Sequence, residues 1–363
     1  MKKIHITLVG GQITPVQNGI KYINPDEIIF ISSEQSFVDA KKLKDSFDIP
    51  TEIIELNSYN LPSIHKKALE LYDKYNDCDL SINLTSGTKP WSLVFYDVFS
   101  KSNVKFILVE QGETIWDLQE KTSVKLTSTI EALFVHEMPR SFNKFEDYTE
   151  DDKEAVKNIC KLKNVNTAMF FALIAEARKK GNLTKFEKKE NKLEWIKDEK
   201  AYIFTLKNKK TGKLVTRTLK SKNIRRLLID AGWFEYKVGS IISKLPNVKE
   251  VMTNCSFNAS NNAPKNEIDI IAHIGNKLLF VECKTQIDKI TDIDKFSKAA
   301  RNFGGLGCKT LFVTNEKKTS VAIEKCKDND VLDFCLSDYE NEEEQVKALS
   351  KLLEKEMNTN NAR

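Results

Sequence analysis

Five short apolar runs in the first 110 residues alternate with segments of helical spacing, and this alternation constrains the fold more than any other feature of the chain. The runs cover residues 4–9, 27–31, 51–56, 80–84 and 104–109. Between them, segments such as 63–75 and 91–100 repeat apolar residues at the helical period. Repeated strand–helix units form a mostly parallel sheet with helices on its faces. The sequence therefore predicts a Rossmann-like α/β domain, to which residues 114–126 add edge strands.

Length and composition exclude several classes of protein. The chain has 363 residues, of which 40% are hydrophobic and 30% charged, which is enough for two or three domains with cores of their own. No run of 18 apolar residues occurs, and the apolar stretch at 4–9 is too short for a signal peptide. Seven cysteines without a C-x-x-C pair favour neither a disulfide framework nor a zinc site. We expect a cytoplasmic protein without membrane contacts.

The net charge of +5 is unevenly distributed along the chain. Residues 1–140 carry 15 basic and 19 acidic side chains, whereas residues 141–363 carry 42 basic and 33 acidic ones. Within the second part, residues 161–226 hold 20 basic and only 6 acidic side chains. This asymmetry indicates that one part of the chain binds a polyanion, although a solvated basic surface is the alternative.

Residues 141–222 differ in character from the flanking parts. The stretch 142–152 is polar and acidic, as in a linker, and 154–180 is an amphipathic helical segment. Two β-like runs, 202–206 and 214–219, are joined by a lysine-rich turn. The predicted division is a sheet domain at 1–140, a basic helix-and-hairpin connector at 141–222 and a further domain at 223–363.

Two loops that follow predicted parallel strands are rich in small and polar residues. One is the segment Gly10-Gly11-Gln12-Ile13-Thr14-Pro15, and the other is Thr85-Ser86-Gly87-Thr88-Lys89-Pro90. Ligands of such sheets bind beyond the carboxyl ends of the strands, where helix N-termini offer backbone N–H groups to phosphates. Neither loop has the G-x-G-x-x-G or P-loop pattern, so a different phosphate-bearing ligand is predicted, with tight turns as the alternative. The candidate binding residues are Gly10, Gly11, Gln12, Thr14, Pro15, Thr85, Ser86, Gly87, Thr88 and Lys89.

The segment 266–284 is the most informative for chemistry. It is typical of two strands around a Gly275-Asn276 turn, a register that places Asp269 opposite Glu282. Two like charges that face each other across a hairpin are destabilising, and a divalent cation between them removes the repulsion. Oxygen ligands of this kind suit Mg²⁺ or Mn²⁺. The predicted metal ligands are Asp269, Glu282 and the backbone carbonyl of Cys283.

Lys284 lies two residues beyond Glu282 and therefore on the same face of the strand. Its ammonium is placed to orient or help deprotonate an attacking water and to stabilise charge in the transition state. A further carboxylate, Glu235, falls on the apolar stripe of a helical segment at 223–245. A carboxylate on a buried stripe needs a partner, which is either the metal site or a lysine. The predicted catalytic residues are Glu235, Asp269, Glu282 and Lys284.

This set of residues resembles the PD-(D/E)xK nuclease core. A helical Gly232-Trp233-Phe234-Glu235, then Asp269, then Glu282-x-Lys284-x-Gln286 is similar to the ExKxQ form of that family, although the usual Pro before the Asp is absent. The resemblance covers residues 225–340. It implies a restriction-endonuclease-like α/β domain that hydrolyses phosphodiester bonds with Mn²⁺ or Mg²⁺.

The N-terminal part resembles the CARF domain of CRISPR-associated ancillary proteins, on the Gly10–Pro15 loop and on Asn83-Leu84 followed by Thr85–Lys89. A CARF domain followed by a PD-(D/E)xK domain is the layout of cyclic-oligoadenylate-activated nucleases of type III CRISPR systems. The resemblance implies a homodimer, cyclic tetra-adenylate as activator, and RNA or DNA as substrate. The alternatives are a CARF sensor that binds nucleic acid without cleaving it, and a restriction-type nuclease that needs no activator.

Overall fold

The computed structural model describes residues 1–11, 13–110, 114–126, 130–134, 138–180, 184–257, 266–275, 277–285, 290–305 and 308–357. The chain divides into two compact units. The first comprises residues 1–138 with the short segments 273–278 and 298–309, and the second comprises 139–272, 279–297 and 310–363. None of the described helices is long and apolar enough to cross a membrane.

The first unit confirms the predicted Rossmann-like alternation of strands and helices. In chain order its elements are β1 (Lys3–Leu8), α1 (Thr14–Ile23), β2 (Glu27–Ser32), α2 (Phe37–Asp45), β3 (Thr51–Glu55), α3 (Leu61–Tyr75), β4 (Asp79–Asn83), α4 (Lys89–Phe99), β5 (Lys105–Val109), β6 (Thr114–Asp117) and β7 (Thr122–Lys125). The strand order is β3-β2-β1-β4-β5-β6-β7. The pairs from β3 to β5 are parallel, and the predicted edge strands β6 and β7 are antiparallel.

The apolar alternation within β1 and β2 explains why helices cover both faces of this sheet. Ile4 and Ile6 pack in one core with residues of α3 and α4, whereas Ile28 and Phe30 pack in another with residues of α1 and α2. β1 lies between β2 and β4, so the chain order of the strands reverses at the β1/β4 pair. The loops that follow β1 and β4 therefore emerge side by side at one edge of the sheet.

The second unit begins with a strand and an α+β segment. Its first elements are β8 (Ser141–Lys144), α5 (Glu150–Val165), α6 (Thr167–Lys179), β9 (Lys185–Lys188), β10 (Asn191–Ile196), β11 (Ala201–Lys207) and β12 (Leu214–Lys220). The last four form an antiparallel sheet of order β12-β11-β10-β9. The predicted hairpin of β11 and β12 is confirmed, but the sheet also contains β9 and β10, whose lysine-rich sequences gave no clear apolar alternation.

Two further expectations for this segment are wrong. The predicted single helical stretch at 154–180 is interrupted at Asn166, whose side-chain oxygen accepts a hydrogen bond from the N–H of Met169 and caps α6. The predicted linker at 142–152 contains most of β8, which pairs with a strand of the next sheet. A four-residue edge strand carries too little hydrophobic pattern to be distinguished from a linker.

The remaining elements surround a six-stranded sheet. They are α7 (Ile224–Leu228), α8 (Gly232–Ser243), β13 (Val248–Phe257), β14 (Asn266–Ile274), β15 (Lys277–Lys284), α9 (Thr291–Gly304), β16 (Lys309–Thr314), α10 (Ser320–Asp328), β17 (Leu332–Cys335) and α11 (Glu342–Met357). The order is β17-β16-β15-β14-β13-β8. Successive residues of β14 and β15, such as Ile270 and Ile271, are fully buried, which is expected where both faces of a sheet are covered.

Candidate active site and ligand cavity

A break between α7 and α8 positions Glu235. The predicted continuous helical segment at 223–245 is interrupted at Ala231, which adopts a left-handed conformation with φ of 65°. At Gly232 a Cβ would lie 3.1 Å from the carbonyl oxygen of Arg226, so glycine allows the two helices to meet closely. The turn brings the Arg226 guanidinium to the Glu235 carboxylate, with Nη2 and Oε2 3.0 Å apart.

Arg226 is a site residue that the sequence reasoning missed. Its Nη2 also donates to the hydroxyl of Tyr148, at 3.3 Å, and that hydroxyl lies 3.3 Å from Oγ1 of Thr253 on β13. Glu235 was expected to pair with a metal or a lysine, and its observed partner is this arginine. The pairing depends on the left-handed turn at Ala231, which no pattern in the sequence predicts.

β14 and β15, which are neighbours in the sheet, carry the other predicted catalytic residues. The N–H of Cys283 donates to Oδ2 of Asp269 at 2.7 Å, so the Asp269 carboxylate lies against the end of β15. Lys284 Nζ lies 2.6 Å from Oε1 of Glu282, and the Glu282 side chain is only 13% exposed. Asn276, half of the predicted turn, lies outside the described residues, as does Gln286.

Burial and mutual repulsion shift the pKa values of the carboxylates in this cluster. Burial, followed by the charge of Asp269, raises the pKa of both Glu235 and Glu282 to about 7. Burial likewise raises the pKa of Asp269. Burial alone would lower the pKa of Lys284, but the charges of Glu282 and Asp269 outweigh it and the pKa is raised. The site therefore holds three electrostatically linked carboxylates near one firmly protonated ammonium.

The donor set is compatible with a hard divalent cation. No three His, Cys, Asp or Glu residues of the described chain are grouped so as to hold a metal ion by themselves. Mg²⁺ needs only one or two protein carboxylates because it keeps several waters, and Asp269 and Glu282 supply such a pair. Burial raises the pKa of the Cys283 thiol well above its usual value, so sulfur is a poor ligand here.

The backbone carbonyl of Cys283 is better placed than its thiol to bind a cation. The carbonyl oxygen of the next residue, Lys284, accepts a hydrogen bond from Asn315 beyond β16, at 3.2 Å. Since successive residues of a strand direct their backbone polar groups to opposite neighbours, the Cys283 carbonyl faces the other side, where its N–H already meets Asp269. The residues present therefore fit a cation held by oxygen atoms.

The first unit contains a cavity of about 620 Å³ beyond the carboxyl ends of β1, β2 and β3. Four of the predicted ligand residues line it: Gly10, Gly11, Gly87 and Thr88. A Cβ on Gly10 would lie 2.7 Å from the nitrogen of Gly87, and one on Gly87 would lie 2.8 Å from the Trp91 ring. The glycines thus allow the loops after β1 and β4 to touch, and this close approach shapes one wall of the cavity.

The other walls come from the loops after β2 and β3, the end of β3 and the first turn of α2, which the sequence reasoning did not single out. They contribute Ser33, Glu34, Gln35, Ser36, Asp39, Glu55, Asn57, Ser58 and Tyr59. Ser36 Oγ donates to the carbonyl oxygen of Val9, and Thr88 Oγ1 donates to that of Ser58, at 2.9 and 3.2 Å. The polar runs after β2 and β3 were a usable signal, because they follow parallel strands at the same edge of the sheet.

The remaining predicted ligand residues have other surroundings. Thr85 Oγ1 accepts a hydrogen bond from the N–H of Val109 at 2.6 Å, and the carbonyl oxygen of Pro15 accepts one from Asn83 at 3.2 Å. Thr14 and Lys89 begin α1 and α4, Ser86 is buried, and Gln12 lies outside the described residues. Of these, Lys89 is exposed at the start of α4.

Comparison with protein families matches two separate parts of the chain. Residues 4–138 match the family model described as the Card1 CARF domain, and residues 221–347 match the Card1-like endonuclease domain. The chain belongs to the CARF-domain endonucleases. The predicted fold class is confirmed, since a CARF domain precedes an endonuclease domain and both are mixed α/β. A search of curated proteins finds no match.

Solved structures share the fold of this CARF-domain endonuclease. Can2 from Sulfobacillus thermosulfidooxidans, solved with cyclic tetra-adenylate, is 18% identical with a TM-score of 0.69 over 97% of this chain and 98% of that one. Protein VC1899 from Vibrio cholerae is 18% identical with a TM-score of 0.70, over 96% and 97%. A type III CRISPR defence DNA nuclease activated by cyclic oligoadenylate is 13% identical with a TM-score of 0.51, over 88% of this chain and 46% of that one.

Proposed function

We propose that this protein is a metal-dependent endonuclease that cleaves RNA or DNA with little sequence specificity when a cyclic oligoadenylate binds its CARF domain. The observation that carries the proposal is the buried cluster of Asp269, Glu282 and Lys284 inside the endonuclease domain. Burying linked carboxylates is costly in a purely structural core, whereas metal-dependent hydrolysis of a phosphodiester uses such carboxylates to hold the cation.

The proposed roles follow from the contacts of each side chain. Asp269, Glu282 and the Cys283 carbonyl would hold Mn²⁺ or Mg²⁺, which would supply Lewis acidity and lower the pKa of a bound water. Lys284, whose Nζ lies 2.6 Å from Oε1 of Glu282, would orient or help deprotonate the attacking water and stabilise developing negative charge. Glu235, held by Arg226, completes the acidic site.

The cavity of the first unit is the proposed activator site. Its volume of about 620 Å³ falls in the range of small-molecule sites. Backbone N–H groups of the Gly10 and Gly87 loops, with Thr88 and Lys89, would meet phosphates. Cyclic tetra-adenylate is the proposed activator, on the CARF assignment and on the ligand bound by Can2.

We propose that the protein is a homodimer, because a ligand with two-fold symmetry can lie on the two-fold axis of a dimer. The proposed location of the dimer is the cytoplasm. In the proposed division, residues 1–140 bind the activator, residues 141–222 form a basic connector, and residues 223–363 carry out the cleavage. The basic segment 161–226 would gather phosphate backbones without reading sequence, so cleavage should weaken as salt rises.

A nuclease assay tests this function. Labelled RNA, single-stranded DNA and duplex DNA are incubated with Mn²⁺ or Mg²⁺, with and without cyclic tetra-adenylate. We expect cleavage only when both metal and activator are present. Nucleic acid binding without any cleavage would support a non-catalytic sensor, and discrete fragments without activator would support a restriction-type enzyme.

A further inference from the structure

An open aromatic side chain lines the cavity of the first unit. Tyr59, in the loop between β3 and α3, is 79% exposed although it borders this cavity. The other aromatic residue of the described lining, Trp91, is only 1% exposed and belongs to the core. A large ring that water surrounds gains free energy when a ligand surface covers it. The ring of Tyr59 is therefore available to a ligand of the cavity.

The loop that carries Tyr59 is held in place by hydrogen bonds. The N–H of Tyr59 donates to Oδ1 of Asn57 at 2.9 Å, which closes a tight turn. The ring N–H of Trp91 donates to the carbonyl oxygen of Asn57 at 3.1 Å, and Oγ1 of Thr88 donates to that of Ser58 at 3.2 Å. Both of these donors belong to the segment that follows β4. The exposed ring thus stands on a fixed backbone, so little conformational freedom is lost when a ligand binds.

The charges around the cavity give its walls different chemistry. Of the described lining residues, Glu34, Asp39 and Glu55 are acidic, and none is a lysine or an arginine. These carboxylates accept hydrogen bonds from amino groups and repel phosphates. The backbone N–H groups of the Gly10 and Gly87 loops suit phosphates instead. The acidic walls therefore suit the bases of a nucleotide, since adenine carries an amino donor at N6.

We propose that Tyr59 binds the activator by stacking its ring on an adenine base. The inference deepens the activator site proposed above and rests on it. Glu55, Asn57 and Tyr59 line the cavity from one segment, so the ring and acceptors for the edge of a base come from the same part of the wall. Stacking of one base on an aromatic side chain strengthens binding by about 5- to 150-fold.

Calorimetric titration of the whole chain with cyclic tetra-adenylate tests this role. The dissociation constant is measured for the wild type, Tyr59→Ala and Tyr59→Phe, and light scattering records the mass of each protein. Leu61→Ala is the matched control, because Leu61 is 53% exposed two residues further along and is not among the described lining residues. The activator concentration that gives half-maximal cleavage of a labelled single strand provides a second measure of binding.

We expect Tyr59→Ala to weaken activator binding by about 5- to 150-fold for each stacked base, and the half-maximal concentration to rise with it. Tyr59→Phe keeps the ring, so it should bind with nearly the wild-type affinity. Leu61→Ala should bind as the wild type does. The mass of each variant should equal that of the wild type, since the ring contacts the ligand rather than another chain.

Wild-type affinity in Tyr59→Ala would overturn the stacking role and leave the activator site standing. Equal losses in Tyr59→Ala and Tyr59→Phe would also overturn it, since the hydroxyl rather than the ring would then make the contact. A lowered mass of Tyr59→Ala would assign the ring to a contact between two copies of the chain instead. If the unaltered protein does not bind cyclic tetra-adenylate, the proposed activator fails and the stacking role fails with it.

Discussion

The cavity of the first unit and the carboxylate cluster of the second are built by opposite means. Around the cavity, glycines let two loops touch, and backbone carbonyls accept hydrogen bonds from Ser36 and Thr88. Around the cluster, charged groups are buried against one another and their pKa values are displaced. We call the cavity the shape-built site, because close contacts define it, and the carboxylate cluster the charge-built site, because buried charges define it. Steric changes should therefore damage the first, and changes of pH or charge the second.

The sharpest test of the charge-built site is Lys284→Ala. Removal of a preorganised charge that stabilises the transition state costs about 10²–10³-fold in turnover. Metal affinity should persist, because the proposed ligands Asp269 and Glu282 remain. Single-turnover cleavage and calorimetric metal titration measure the two effects, with exposed Lys295→Ala as the control. A parallel loss of metal affinity and turnover would make Lys284 a structural residue.

Arg226→Ala tests whether the same cluster depends on a compensating charge. The variant leaves the largely buried Glu235 carboxylate without its ion-pair partner, and breaking such a pair costs about 3 kcal/mol of unfolding free energy. Glu235→Gln in the same protein should recover much of the loss, since no charge is then left uncompensated. Denaturant unfolding of the two single variants and the double variant measures the coupling. Strictly additive effects would show that the two side chains do not interact.

The pH dependence of stability provides a third distinction between the sites. In the metal-free protein the folded-state pKa of Glu282 lies above its ordinary value of 4.5, at about 7, so the folded state binds more protons between these values. The unfolding free energy should therefore fall as pH rises through this window, by up to roughly 3 kcal/mol for one such group. Glu282→Gln should flatten the decline, and Mn²⁺ should stabilise the wild type more at pH 8 than at pH 5.

Urea unfolding across this pH range measures the effect. Glu324→Gln, an exposed carboxylate on α10, serves as the control and should follow the wild type. A Glu282→Gln protein with the full wild-type decline would mean that the displaced carboxylate does not govern stability.

The shape-built site is tested by a pair of adjacent glycines. Gly10→Ala would place a Cβ 2.7 Å from the nitrogen of Gly87, whereas a Cβ at Gly11 meets no atom of the described, non-adjacent residues within 4 Å. Overpacking of this kind costs about 1–3 kcal/mol, and separation of the loops should weaken cyclic tetra-adenylate binding. Calorimetry and thermal unfolding compare the two variants. Equal behaviour of Gly10→Ala and Gly11→Ala would refute the role assigned to this close approach.

The sequence predicted those features that a local pattern encodes. The strands of the first unit are continuous apolar runs, and the Asp269, Glu282 and Lys284 set follows from the period of two along a strand. Arg226 escaped prediction because its pairing depends on a backbone conformation at Ala231. β8 and β9 escaped because four-residue, lysine-containing edge strands have no distinctive pattern.

The residues that line the cavity were likewise predicted only where a local sequence pattern marks them. The loops after β1 and β4 were predicted to bind a ligand because they are rich in small and polar residues, and Gly10 and Gly87 of these loops meet in the structure. The segment Ser33–Ser36 and the Asn57 loop carry ordinary polar residues, and only the spatial order of β2 and β3 brings them to the same cavity. Lining residues of this kind follow from topology rather than from composition.

We propose that a ligand in the shape-built site switches on chemistry in the charge-built one. The most direct measurement is cleavage of a labelled single strand by wild-type and Glu282→Gln protein at saturating Mn²⁺, with and without cyclic tetra-adenylate. We expect the wild type to cleave only with the activator. Glu282→Gln should bind the activator with wild-type affinity yet cleave at least about 10³-fold more slowly, a loss of several kcal/mol in transition-state stabilisation. Equal cleavage by the two proteins, or wild-type cleavage that does not depend on the activator, would contradict this coupling between the two sites.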